Sequence, residues 1–290
     1  MKFIQAILIA ILLTQCRQKE TSNTVQQEST TSSLKAYEDS LARYLFTPER
    51  NRWALELFAN HFDKTNAEQA DLALKAFLTY QSALIDTLNS DLYKRPDYEA
   101  INSLIYADAK ERKQEGLDFE KQMKQVRLLV KSSEGAVYLA RDSEQLRTYF
   151  ANYLTPATKE FLDQFIKEEQ QVLSEDGALI IPVNDLANRL IFWDEFSSKY
   201  PQHIFVDHAN TSRKEYLFYV LAGMDNTPAF DFGTKKIITD HSDAYSMILS
   251  KHADLPSAKV IKEYVELLKQ NNYTQTMAVD QFIQKYSPWQ

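Results

Sequence analysis

From Leu34 to the end of the 290-residue chain, apolar residues recur at intervals of three and four. That spacing lines one face of an α-helix and cannot line one face of a strand. The segment Thr65–Leu88 is the clearest case. Leu74, Phe77, Leu78, Leu84, Ile85 and Leu88 recur at helical spacing against a background rich in Ala and Leu. Only 5 Gly and 8 Pro occur, too few for a turn-dense β architecture. Several of them punctuate helices. Thr47-Pro48 and Thr155-Pro156 each read as a helix start, threonine as N-cap and proline in the first helical position. Gly223 closes the helix that begins at Val206. The expected fold is all-α, a helical-hairpin array.

Two stretches break the pattern. The helix over "LDFEKQMKQVRLLV" is expected to run to Val130, and "KSSEGAVYLARD" (Lys131–Asp142) then reads as a short extended link. The link separates an N-terminal helical region, 34–133, from a C-terminal helical-repeat region, 134–290. "SEDGALIIP" (Ser174–Pro182) is the second non-helical punctuation.

The last hundred residues repeat themselves. Phe196, Ser198, Lys199 and Tyr200 align with Ile248, Ser250, Lys251 and His252, and "KEYLFYVL" aligns with "KEYVELLK". A third copy, "DQFIQKYSP", sets Phe282 and Lys285 at 34 residues from Ile248 and Lys251, which is the tetratricopeptide period. From about Val183 onward the chain therefore resembles the tetratricopeptide-like arrays of bacterial envelope lipoproteins. The resemblance implies stacked helical hairpins that bury a shared core and present a groove to a partner.

The first 33 residues are of a different kind. Lys2 precedes the apolar run Phe3–Leu13, too short to span a bilayer, which takes about 20 residues. It fits the core of a signal peptide over residues 1–15. Leu13-Thr14-Gln15-Cys16 follows, and Cys16 is the only cysteine in the chain. This resembles the lipobox of bacterial lipoproteins. The resemblance implies cleavage before Cys16, a diacylglyceryl group on its thiol and acylation of its amine. At about 0.8 kcal/mol per buried CH₂, two or three acyl chains hold a protein on a membrane. Residues 16–33 contain Val25 as their one large apolar side chain beyond Cys16 and read as a disordered tether. The expected location is the bacterial cell envelope, lipid-anchored and either periplasmic or surface-exposed.

Candidate chemistry is sparse. A net charge of −7 provides no basic footprint for nucleic acid. Nucleophile elbows, phosphate-binding loops, Gly-rich dinucleotide turns and CxxC pairs are absent from the sequence, and no cofactor is expected. His203, Asp207, His208 and His241 are of the types that ligate divalent metals, though their spacing matches no metal motif. In the turn-rich segment Gly223–Thr234, the oxygens of Asp225, Asn226, Thr227 and Asp231 form a possible ligand loop. Glu168-Glu169, Glu175-Asp176 and Asp194-Glu195 read as solvated faces, and Tyr216, Phe218 and Tyr219 as a possible groove lining. The function expected first is non-catalytic, a membrane-anchored scaffold or binder of a protein or peptide partner. A metal-dependent hydrolase using His203, His208 and His241, or a glycan-binding surface lipoprotein, stands as the alternative. The anchor has a direct check. Wild type should incorporate labelled palmitate and fractionate with membranes, and Cys16→Ala should do neither.

Overall fold

The computed structural model describes residues 33–43, 46–106 and 108–289. The expected signal peptide, Cys16 and the polar stretch to residue 32 lie outside the described residues. The described chain is all-α, with only three two-stranded hairpins beside its helices. No described helix is long and apolar enough to cross a membrane. Contacts divide the chain into two compact units, Met1–Thr155 and Pro156–Gln290.

The first unit opens with α1 (33–42), α2 (Glu49–His61) and α3 (Ala67–Leu92). Pro48 already carries helical dihedrals at φ −54° and ψ −39°, as its fixed ring favours at a helix start. Tyr37 of α1 is fully buried and meets the Phe62 ring edge-on at 5.6 Å. The chain then forms α4 (Tyr98–Asn102) and α5 (Gln114–Gln125). Gly116 stands where the two cross, since a methyl group there would lie 2.4 Å from the Ala100 carbonyl oxygen.

Helix α5 stops at Gln125 and does not reach Val130. The expected link is instead a β-hairpin, β1 (Leu128–Ser133) on β2 (Ala136–Arg141), with Ser133 opposite Ala136. Glu134 and Gly135 turn the chain with φ of +50° and +78°, the two positive values of a type I′ turn. Polar side chains hold the hairpin in its helical surroundings. Buried Asn51 donates to the carbonyls of Val126 and Arg127 at 2.8 and 2.9 Å, and accepts from Gln81. Asn89 bonds both the N–H and the C=O of Leu139 at 2.7 and 2.9 Å, much as a third strand would. Asn102 does the same for the N–H of Val137 and the carbonyl of Gly135. A boundary at 133/134 would cut this hairpin at its turn. The compact unit instead runs on through α6 (Ser143–Phe150) to Thr155, whose N–H and hydroxyl both bond the Asp71 carboxylate.

The second unit begins with α7 (Pro156–Gln170) and the small hairpin β3 (Ser174–Glu175), β4 (Ala178–Leu179). Next come α8 (Val183–Lys199) and α9 (Val206–Ala222), packed along each other, then the hairpin β5 (Gly223–Met224), β6 (Thr227–Pro228). Helices α10 (Thr239–Lys251), α11 (Pro256–Gln270) and α12 (Met277–Gln284) complete it. α10 packs on both α8 and α11. The aligned copies end alike: Tyr200 N–H bonds Phe196 O at 2.9 Å and His252 N–H bonds Ile248 O at 2.9 Å.

Two of the acidic pairs are not solvated faces. Asp194 is 0% exposed and accepts the Ser257 N–H at 2.7 Å, capping the N-terminus of α11 from the side of α8. Its other oxygen lies 3.9 Å from the Arg213 guanidinium. Glu168 accepts from Trp193 Nε1 at 2.8 Å and from the Tyr216 hydroxyl at 2.6 Å. A carboxylate buried on a helix N-terminus is favourable only while its donors are present. Asp194→Ala should therefore cost about 3 kcal/mol. Asp194→Asn, which keeps an oxygen for Ser257, should cost about 1 kcal/mol. Urea denaturation of the two variants beside wild type measures both.

Candidate functional site

The site grows out of the end of one helix. The last four carbonyls of α9 have no partner within the helix ladder, and each finds one outside it. Tyr219 O accepts the Gly223 N–H, and Ala222 O accepts the Ala229 N–H at 2.9 Å. Val220 O accepts both His241 Nδ1–H at 2.9 Å and the Tyr245 hydroxyl at 3.0 Å. Leu221 O accepts the Tyr264 hydroxyl at 3.2 Å. Gly223 makes the turn possible at φ +72°, where an added Cβ would lie 2.4 Å from Ala229 N and from Thr227 O.

The chain leaving Gly223 is stitched to the hairpin before α8. Asn226 N–H bonds Gly177 O at 2.9 Å, its side chain donates to Asp176 O, and Leu179 N–H bonds Thr227 Oγ1 at 2.8 Å. Asp176 and Gly177 turn β3 into β4 with φ of +48° and +66°. A second turn follows β6. There Asp231 Oδ1 accepts from the N–H of Gly233 and from both the N–H and the hydroxyl of Thr234. Ile238 N–H returns to Ala229 O at 2.8 Å.

Between these loops lies a cavity of about 400 Å³, within the size range of small-ligand sites. Leu179, Ile181, Val183, Pro228, Phe230 and Ile238 give it apolar walls. Asn226, Thr227, Asp231, Asp240 and His241 are its polar lining. Phe232, 68% exposed, stands at its edge. His241 is 3% exposed, and burial holds its imidazole below the ordinary histidine range, against the opposing pull of the Val220 carbonyl and Asp240. The ring is therefore neutral at pH 7. With Nδ1–H donated to Val220 O, Nε2 is the unprotonated nitrogen. It has no hydrogen bond among the described residues and belongs to a ring that lines the cavity. Asp231 is lowered by the Thr234 and Gly233 donors and by nearby Lys235.

The structure thus gathers Asn226, Thr227, Asp231 and His241 at one cavity, while Asp225 is exposed and outside the lining. Asn226, through its N–H and side-chain amide nitrogen, and Thr227, through its hydroxyl oxygen, tie the two hairpins together. The four metal candidates do not converge. His203 Nε2 lies 3.0 Å from Thr158 Oγ1, the His208 ring packs among Phe161, Phe165 and Trp193, and exposed Asp207 sits in the first turn of α9. Among the described residues, no group of three or more His, Cys, Asp or Glu is arranged to hold a metal ion. The three histidines named for a hydrolase are thus not brought together among the described residues. The aromatic groove is also absent: Tyr216 is buried on Glu168, while Phe218 and Tyr219 pack on Trp289. Beside the loop Phe230 is buried and Phe232 is exposed. The Leu179–Val183 wall and Ile238 went unread in the sequence. The Asp176-Gly177 pair was their available signal, since Asp-Gly marks a two-residue hairpin.

No protein-family model, curated protein or solved structure matches the chain.

The lowered His241 has a consequence for stability. Its contribution is fully present above the unfolded histidine value near about 6.5 and is lost as pH falls through the folded value. The melting temperature should drop between pH 7 and pH 5, with His241 supplying at most about 1.4 kcal/mol per pH unit. Thermal melts of His241→Gln should show a flatter pH dependence than wild type over that window.

Proposed function

We propose that this chain is a lipid-anchored lipoprotein of the bacterial envelope whose C-terminal unit binds a protein or peptide partner without catalysing a reaction. The anchor rests on the Leu13–Cys16 motif and the apolar run before it. The binding role rests on the cavity between β4, β6 and the start of α10, which joins apolar walls to a few placed polar groups. Its polar groups favour binding over chemistry. Thr227 Oγ1 is engaged by Leu179 N–H and Asp231 Oδ1 by its own turn, so neither is poised as a nucleophile. The matching ends of α8 and α10, and the packing of α10 on α8 and on α11, support the tetratricopeptide-like reading of this half.

The test is comparative recovery of partners. Tagged wild type, purified from detergent-solubilised membranes, should bring down a partner that Ile238→Arg does not. Ile238 is 37% exposed at the cavity wall, so the variant should fold, and a melting curve checks it. Identical recovery with both proteins would remove the cavity from the interaction.

A further inference from the structure

Every ionisable group in the cavity lining is an acid or a neutral acceptor, and no Lys or Arg is among them. Asp240 lies in the first turn of α10, is exposed, and makes no hydrogen bond or ion pair among the described residues. Asp231 commits Oδ1 to its turn and leaves Oδ2 unbonded. Lys235 is the cation near Asp231, while the neighbouring Lys236 ammonium donates to the Asn272 carbonyl. His241, in the same lining, is almost wholly buried, and its Nε2 has no hydrogen bond among the described residues. The backbone sets this polarity, because the Val220 carbonyl takes the one imidazole proton.

We propose that the cavity selects a protonated amine or guanidinium carried on an apolar body, presented as a lysine or arginine side chain of a bound peptide. The inference rests on the peptide-binding reading above and names its ligand chemistry. An anionic group would meet Asp231 and Asp240 with no cation in the wall to receive it. An uncharged apolar group would shed water from both carboxylates without replacing their hydrogen bonds, which is costly. A long basic side chain meets both demands. Its methylene stem lies along Ile238, Phe230 and Pro228, and its charged head stays at the acidic rim in contact with water. There it pairs with the carboxylate of Asp240 or of Asp231, a charge-assisted contact that an uncharged side chain cannot make. The peptide's flanking apolar residues then cover the exposed Phe232 ring.

Isothermal titration calorimetry of the full chain in uncharged detergent tests this with blocked peptides, acetylated and amidated. The sequences are Leu-Lys-Leu, Leu-norleucine-Leu and Leu-Glu-Leu, with hexylamine as a free amine. The lysine peptide should bind about tenfold tighter than the norleucine peptide, the size expected of a partly exposed charge pair with neighbouring acceptors. The glutamate peptide should bind more weakly than either. Asp240→Asn should reduce the preference for lysine, and Asp240→Lys should abolish it. Asp240 is exposed, so both variants should melt like wild type. Raising the salt concentration should weaken the lysine peptide and leave the norleucine peptide unchanged. Equal affinity for lysine and norleucine peptides, each lost in Ile238→Arg, would overturn the cation preference while leaving the cavity a peptide site. Hexylamine binding as tightly as the lysine peptide would overturn the peptide as the source of the amine. No binding by any peptide, with partner recovery still sensitive to Ile238→Arg, would overturn the inference alone.

Discussion

The second unit depends on how the C-terminus of α9 is satisfied. A helix end with buried carbonyls is costly unless each one finds a donor. Here the donors come from everywhere the unit must hold together: Gly223 and Ala229 from the chain leaving the helix, His241 and Tyr245 from α10, Tyr264 from α11. Losing the Gly223, Ala229 or Tyr264 donor leaves an acceptor without a partner, whereas Val220 O keeps one donor if either His241 or Tyr245 is removed. The tyrosines add ring packing to these bonds, Tyr245 meeting Tyr264 edge-on at 5.7 Å, and burial pushes both phenols well above their ordinary range. The hydroxyls therefore remain protonated donors across the physiological range.

The same device, a polar side chain completing another element's backbone, recurs in both units. Asn51, Asn89 and Asn102 complete the β1–β2 hairpin, Asp71 holds Thr155, and Asp194 caps α11. Each is far apart in sequence from the group it serves. Buried polar pairs of this kind are specific, because a shifted register leaves both members without partners.

The helices were legible in the sequence because their signal is local. Thr65–Leu88, the Thr-Pro starts and the Gly223 stop report on spacing and on φ, which neighbouring residues decide. The aligned Phe196–Tyr200 and Ile248–His252 segments each lie at a helix end, closed by the same backbone bond. The first hairpin was not legible, because Leu128–Val130 is a short apolar run that suits a helix end as well as a strand. Glu134-Gly135 decided it. Acid burial was illegible for a different reason. Asp194 and Glu195 are neighbours on one helix, yet one is wholly buried and the other exposed, and only the placement of α11 separates them. At the candidate site, Asn226, Thr227, Asp231 and His241 could be singled out by residue type, whereas the apolar wall could not. Leu179 and Ile238 look like any core residues until two distant turns are brought together.

The cavity's chemistry is set by the fold rather than by the residues that line it taken alone. A histidine at a surface would titrate near neutrality and offer either nitrogen. His241 does neither, since Val220 fixes its tautomer and burial keeps it uncharged. Its outward nitrogen is therefore an acceptor for as long as α9 keeps its end in place. Anything that protonates His241 removes that acceptor and adds a positive charge beside Asp240 in the same step. A cationic ligand would then lose one partner and gain one repulsion, so occupancy of the cavity weakens as pH falls, in the same range where the cost of a buried imidazolium lowers the stability of the fold. The bond that closes the helix is in this sense also the bond that defines what the cavity can hold.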